Sequence, residues 1–165
     1  MKNRQRIIFM GTPDFAVPSL KALHNSGHEV ALVVTQPDRP RGRGQKVMFS
    51  PVKEAALELG YDILQPLSVR TPEFYEKVTA LSPDIFVVVA FGHILPKKVL
   101  SIPEKGAINL HASLLPKYRG PAPIQWAIIN MEKATGVTAM LMNEGLDTGD
   151  ILLSAKTEIS SRETS

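Results

Sequence analysis

Short apolar runs alternate with amphipathic stretches along most of this 165-residue chain. The first, "RIIFMGT", joins β-branched and aromatic residues up to Gly11, the pattern of a buried strand. "DFAVPSLKALHNSGH" then offers Phe15, Leu20 and Leu23 to one helical face, with Pro18 in the first turn and Gly27 closing it. "EVALVVTQP" predicts a second strand. Ser50-Pro51 and Thr71-Pro72 each set an N-cap residue before a proline at the first helical position. Helices should follow on Val52, Ala55, Ala56 and Leu59, and on Phe74, Val78 and Leu81, with "YDILQP" as a strand between them. "DIFVVVAFG" is apolar at nearly every position, so both of its faces should be covered. "GAINLH" predicts another strand and "IQWAIIN" a helix. "GVTAMLMN" and "DILLSAKTEI" predict two late strands, neighbours across the turn "EGLDTG".

This alternation implies βαβ units and an α/β fold with a doubly wound, mainly parallel sheet. Ligands in such sheets bind outside the carboxyl ends of the strands, so the loops after Met10, Val34, Ala90, Leu110 and Met142 carry the interest. The length and the 44% hydrophobic content suffice for one domain with a core. No run of about 18 apolar residues is present, so no membrane span is expected, and the N-terminal apolar run is too short for a signal peptide. With no cysteine there is no disulfide framework and no thiolate metal site, which fits a cytoplasmic protein.

The net charge of +3 points to no particular partner, but one segment is strongly basic. "TQPDRPRGRGQKVMFSP" sets Arg39, Arg41, Arg43 and Lys46 against Asp38. Its interleaved prolines and glycines argue against a helix or strand. It reads either as a solvated surface loop or as an arm that meets phosphate oxygens.

Nucleotide fingerprints are absent. The turn after the first strand reads "GTPDFA" where a dinucleotide site needs G-x-G-x-x-G, and no G-x-x-x-x-G-K-[ST] occurs. His24, His28, His93 and His111 lack metal-ligand spacing, and His24 should lie on a helix surface. "INLHAS" is more informative, because alternation along a strand puts Asn109 and His111 on one face. An amide and an imidazole at a strand's carboxyl end can converge on one carbonyl oxygen and stabilise an oxyanion. A partly buried histidine that ties down its own loop is the alternative. Asp147, in "GLDTGD", is a candidate acid–base partner, although turn aspartates usually cap their own backbone. Asp150 more simply serves the turn.

"GTPDFA", "TQPDRPRGRG", "VVVAFGHILP", "INLHASLLPKYRGPAPIQWAI" and "GLDTGDIL" resemble, in order and spacing, the methionyl-tRNA formyltransferase family among the 10-formyltetrahydrofolate-dependent formyltransferases. H-x-S-L-L-P alone is shared across the wider group, whereas "GTPDF" and the basic segment narrow it. The glycine- and serine-rich phosphate loop of the glycinamide ribonucleotide enzymes is missing. The resemblance implies a Rossmann-like fold and formyl transfer from 10-formyltetrahydrofolate to the α-amino group of initiator methionyl-tRNA. It implies a catalytic trio of Asn109, His111 and Asp147, and a folate loop of Ser113, Leu114, Leu115 and Pro116. Phe91, Gly92, Ile94 and Leu95 would wall the pterin, Phe15 would line the methionyl pocket, and Arg41 and Arg43 would meet tRNA. No metal is implied, and a cytoplasmic monomer is expected.

The family's chains run to roughly twice this length, with a linker and a C-terminal β-barrel. Residues 1–165 therefore read as the catalytic domain short of its last helices, with "SSRETS" starting one of them. A formyltransferase acting on a small amine, and a folate- or tRNA-binding fragment without turnover, are the alternatives. The first would have no use for the segment from Pro37 to Lys46.

Overall fold

The computed structural model describes residues 4–41, 46–160 and 164, and the chain divides into two compact units, Met1–Ala107 and Ile108–Ser165. In the first unit, β1 (Arg6–Gly11) is followed by a single 3-10 turn (Asp14–Ala16), α1 (Val17–His24) and β2 (Glu29–Val34). After β2 come β3 (Arg39–Arg41), β4 (Lys46–Met48), α2 (Pro51–Glu58), β5 (Ile63–Leu64), α3 (Pro72–Ala80), β6 (Ile85–Val89) and α4 (Lys97–Leu100). The second unit carries β7 (Ala107–His111) from its second residue on, α5 (Pro123–Ile129), β8 (Ala134–Leu141) and β9 (Ile151–Glu158).

β1 lies between β2 and β6, and β5 pairs with the far side of β2, all in parallel. Parallel neighbours need crossover connections, which α1, α2 and α3 supply. Strand order reverses between β1 and β6, which makes their carboxyl ends the place where such a sheet opens a crevice. Ile8, Phe9 and Met10 are consecutive and wholly buried, so both faces of β1 are covered. Each such side chain contributes roughly 1.5–3 kcal/mol through burial. Phe86, Val88 and Val89 of β6 are buried as well, as its unbroken apolar run requires.

The local start signals act as expected. The Ser50 hydroxyl accepts from the Lys53 amide at 3.1 Å, and that of Thr71 accepts from Phe74 at 3.3 Å. Phe15 falls in the 3-10 turn before α1, half-buried, and α4 follows a Pro96 whose start signal has no periodic apolar run behind it.

The basic segment departs from expectation. β3 and β4 pair antiparallel, with Pro40 opposite Val47, where the prolines and glycines argued against strands. In a two-stranded ribbon each strand keeps one open edge, so a residue without an N–H is tolerated there. The ribbon's base is held by Asp38, which pairs with the Lys53 ammonium and accepts from Gln65 at 2.8 Å. Lys53 also stacks on Phe49 at 3.9 Å. Residues 42–45, Arg43 among them, lie outside the described residues.

The second unit is antiparallel. β7 pairs with β8, and β8 with β9 across the expected turn. Every residue of β9 is exposed.

The Lys53 hydrogen bond, with help from Gln65, holds the Asp38 carboxyl below the ordinary carboxylate range in spite of its partial burial. A depressed folded-state pKa stabilises the fold above the unfolded value, about 3.9, and that stability goes as pH falls through the folded value. Asp38→Asn should therefore unfold at lower urea than the wild type above pH ~4. The gap should narrow as pH is lowered further; a gap that stays constant at low pH contradicts the assignment.

Candidate active site

The site is built from β7, the loop after it and the β8–β9 turn, all within the second unit. On β7, Asn109 and His111 sit opposite Met140 and Thr138 of β8. Directly opposed residues of an antiparallel pair share a face, so all four project to one side. The β8–β9 turn delivers Asp147 to that side at φ 51°, a left-handed conformation that aspartate tolerates better than most residues. The Asn143 side chain tightens the turn by accepting from the Gly145 amide at 2.9 Å and the Thr148 hydroxyl at 2.8 Å. Asp150 serves the turn, its carbonyl accepting from the Leu141 amide at 2.9 Å.

Asp147 is the point of convergence. Its Oδ1 lies 3.4 Å from Asn109 Nδ2, and its Oδ2 lies 3.5 Å from His111 Nδ1 and accepts from the Gly120 amide at 2.8 Å. The other imidazole nitrogen, Nε2, is 2.7 Å from the Tyr118 carbonyl oxygen. A carbonyl only accepts, so Nε2 carries a proton in this arrangement. Both ring nitrogens thus face acceptors. His111 is 8% exposed and Asp147 11%, so their interaction is little screened by water. An imidazole oriented by a carboxylate, beside an amide with a second N–H, can stabilise a developing oxyanion and move a proton.

The loop after His111 is closely held. Ser113 is buried, and its hydroxyl donates to the Lys117 carbonyl at 2.6 Å. Leu115 and Pro116 are joined by a cis peptide bond. Tyr118 donates its hydroxyl to Glu132 at 2.7 Å, and the Lys117 ammonium reaches the same carboxylate at 3.0 Å. These two donors hold Glu132 below its ordinary range, and Glu132 in turn raises the pKa of both Lys117 and Tyr118. Leu114, Lys117, Tyr118, Met131 and Thr135 help to line a cavity of about 590 Å³.

The remaining expected residues belong to the first unit. The carbonyl of Phe91, a buried residue, accepts from the Thr12 hydroxyl at 3.0 Å and the Gln36 side-chain Nε2 at 3.2 Å, which ties the segment after β6 to the ends of β1 and β2. Gly92 has φ 84°, Leu95 is buried and Ile94 is 74% exposed. Between them His93 packs its ring 5.1 Å from that of Phe91, and its Nε2 is buried without a hydrogen-bond partner among the described residues. Burial, and secondarily the Arg39 charge, lowers its pKa. Arg41 closes β3. The described residues hold no group of His, Cys, Asp or Glu fit for a metal ion, and no helix long and apolar enough to cross a membrane.

Tyr118, Gly120 and Thr138 contribute to the site without having been singled out in the sequence. Tyr118 and Gly120 act through main-chain groups, which leave no trace in residue identity. Thr138 did leave one, as a hydroxyl at an inward position of an apolar strand.

Residues 5–165 match the formyl transferase family model. The methionyl-tRNA formyltransferase of Caldanaerobacter subterraneus subsp. tengcongensis is 64% identical over 149 residues, which is 90% of this chain and 48% of that protein. That of Pelotomaculum thermopropionicum is 57% identical over 96% of this chain and 51% of its own. The chain thus spans about half the length of the curated relatives it matches. Among solved structures, glycinamide ribonucleotide transformylase 1 from Symbiobacterium toebii superposes with TM-score 0.79 at 20% identity, over 99% of this chain and 78% of that one. A formyltetrahydrofolate deformylase from Pseudomonas syringae pv. tomato gives 0.76 at 18% identity, over 99% of this chain and 54% of its own. Both share the fold.

A Cβ at Gly149 would lie 1.5 Å from the Leu141 carbonyl oxygen, so the turn that carries Asp147 cannot keep its path with a side chain there. Gly149→Ala should cost at least ~2 kcal/mol of stability and shift the His111 imidazole NMR signals. An unchanged melting temperature and unchanged signals would contradict this account of the turn.

Proposed function

The chain belongs to the formyl transferase family, and on that premise we propose that it provides the catalytic part of a methionyl-tRNA formyltransferase. The observation that carries the reading is the convergence of Asn109, His111 and Gly120 on the Asp147 carboxylate. The donor is 10-formyltetrahydrofolate and the acceptor is the α-amino group of methionine esterified to initiator tRNA, in the cytoplasm. High identity to proteins of that name supports the acceptor.

The chemistry is addition followed by elimination at the formyl carbon. The neutral amine attacks, a C–N bond forms and negative charge builds on the formyl oxygen. The Asn109 amide and the His111 Nε2–H stabilise that charge. At rest, His111 Nε2–H is engaged by the Tyr118 carbonyl at 2.7 Å, and the reacting oxygen takes over that donor. Asp147 keeps the ring oriented through Nδ1, and it relays the amine's proton through water toward the departing folate nitrogen. The bond from the formyl carbon to that nitrogen then breaks, and tetrahydrofolate leaves with the proton. No metal and no covalent enzyme intermediate is needed.

The segment Ser113–Pro116 would hold the folate through main-chain groups, since the Ser113 hydroxyl already donates to Lys117. Phe91, Gly92, Ile94 and Leu95 would wall the pterin, and Phe15 the methionyl side chain. Arg41 and Arg43 would meet tRNA phosphates from the basic segment, a bare surface loop being the reading that gives way here.

Labelled formyl donor should transfer to charged initiator tRNA and not to elongator tRNA or small amines; label on small amines alone would remove the assignment. His111→Ala should slow the formyl step at least ~10²-fold with folate affinity little changed, and near-normal single-turnover rates would refute its role. Arg43→Ala should weaken tRNA use most at low salt, with a shallower salt dependence than the wild type, while hydrolysis of the donor alone is unaffected. Equal loss in both reactions would count against the arm.

A further inference from the structure

Thr138 is wholly buried in β8, and its single hydroxyl serves the loop that follows His111 from both directions. It donates to the Ser113 carbonyl at 2.7 Å and accepts from the Leu115 amide at 3.2 Å. The Ser154 hydroxyl of β9 is also 3.2 Å away. A threonine hydroxyl has one proton and two acceptor lone pairs. The carbonyl can only accept, so it takes that proton, and the Leu115 amide and the Ser154 hydroxyl donate to the two lone pairs. The hydroxyl is saturated and its polarity is fixed.

Two residues earlier on the same face, a Cβ at Gly136 would lie 2.6 Å from Leu114 Cδ2 and 2.2 Å from the Ala155 carbonyl oxygen. Gly136 thus lets Leu114 lie down against the strand, while Thr138 grips the peptides on either side of it. The path of the loop is written in β8, some 25 residues away in the chain.

We propose that Thr138 is a positioning residue for donor binding: its hydroxyl sets the main chain from Ser113 to Leu115, and hence the folate contacts, without touching the substrate. The inference rests on the proposed function for the identity of the ligand and on the geometry alone for the loop. A wholly structural threonine would alter stability and leave affinity per folded molecule unchanged. A positioning threonine alters affinity in the folded protein.

The test combines tetrahydrofolate binding by calorimetry with amide exchange by NMR, on the wild type and on Thr138→Val, Thr138→Ala and Thr138→Ser. The apolar variants should bind tetrahydrofolate at least ~10-fold more weakly per folded molecule. Their Leu115 amide should exchange fast while the β8 amide of Met140 stays protected. Thr138→Ser, which keeps the hydroxyl, should recover affinity to within ~3-fold of the wild type. Wild-type binding with equal affinity in a folded Thr138→Val or Thr138→Ala overturns the positioning role and leaves the proposed function standing. A wild type that binds no tetrahydrofolate overturns the folate reading itself. Should neither apolar variant fold, the wild type decides: a Leu115 amide that exchanges as fast as an unprotected one overturns the proposal.

Discussion

A single carboxylate organises the second unit. Asp147 draws together β7 through Asn109 and His111, the loop after it through the Gly120 amide, and the β8–β9 turn on which it sits. A carboxylate this little exposed is costly unless polar partners surround it, and here β7 supplies Asn109 and His111 and the loop after it the Gly120 amide. The same constraint that makes the turn tight also fixes which nitrogen of His111 faces the acid and which faces the loop. Structure and chemistry share one set of hydrogen bonds, so the site can be precise while standing on connecting segments.

The first unit obeys a different physics. Its parallel sheet is buried through consecutive apolar residues in β1 and β6, and its polar order gathers at the carboxyl ends of the strands. There Thr12, Gln36 and the Phe91 carbonyl bond to one another, and the Asp38–Lys53–Gln65 cluster holds the base of the basic ribbon. That cluster adjoins the segment that carries Arg39, Arg41, Arg43 and Lys46 in sequence.

Much of this was legible in the sequence, for reasons that differ by residue. Strands reported by apolar runs and helices reported by Ser50-Pro51 and Thr71-Pro72 came out where local signals placed them. Asn109 and His111 were readable because period-two alternation along a strand is strict. The β3–β4 ribbon was not, because proline and glycine speak only of local conformation and an open strand edge forgives both. Asp147 was legible as an acid in a turn, but its position came from contacts that residue identity does not encode. Tyr118 and Gly120 act through the peptide group, common to nearly every residue, and Thr138 through a partner far along the chain.

If Asn109, His111 and Asp147 stabilise one transition state as a unit, their effects cannot add. The most direct measurement is a double-mutant cycle in single-turnover formyl transfer to charged initiator tRNA, with His111→Ala, Asp147→Ala and the pair. The account predicts that the double variant is about as slow as the slower single one, because removing either partner leaves the other nothing to orient or be oriented by. Losses that multiply, each residue acting regardless of the other, would contradict it.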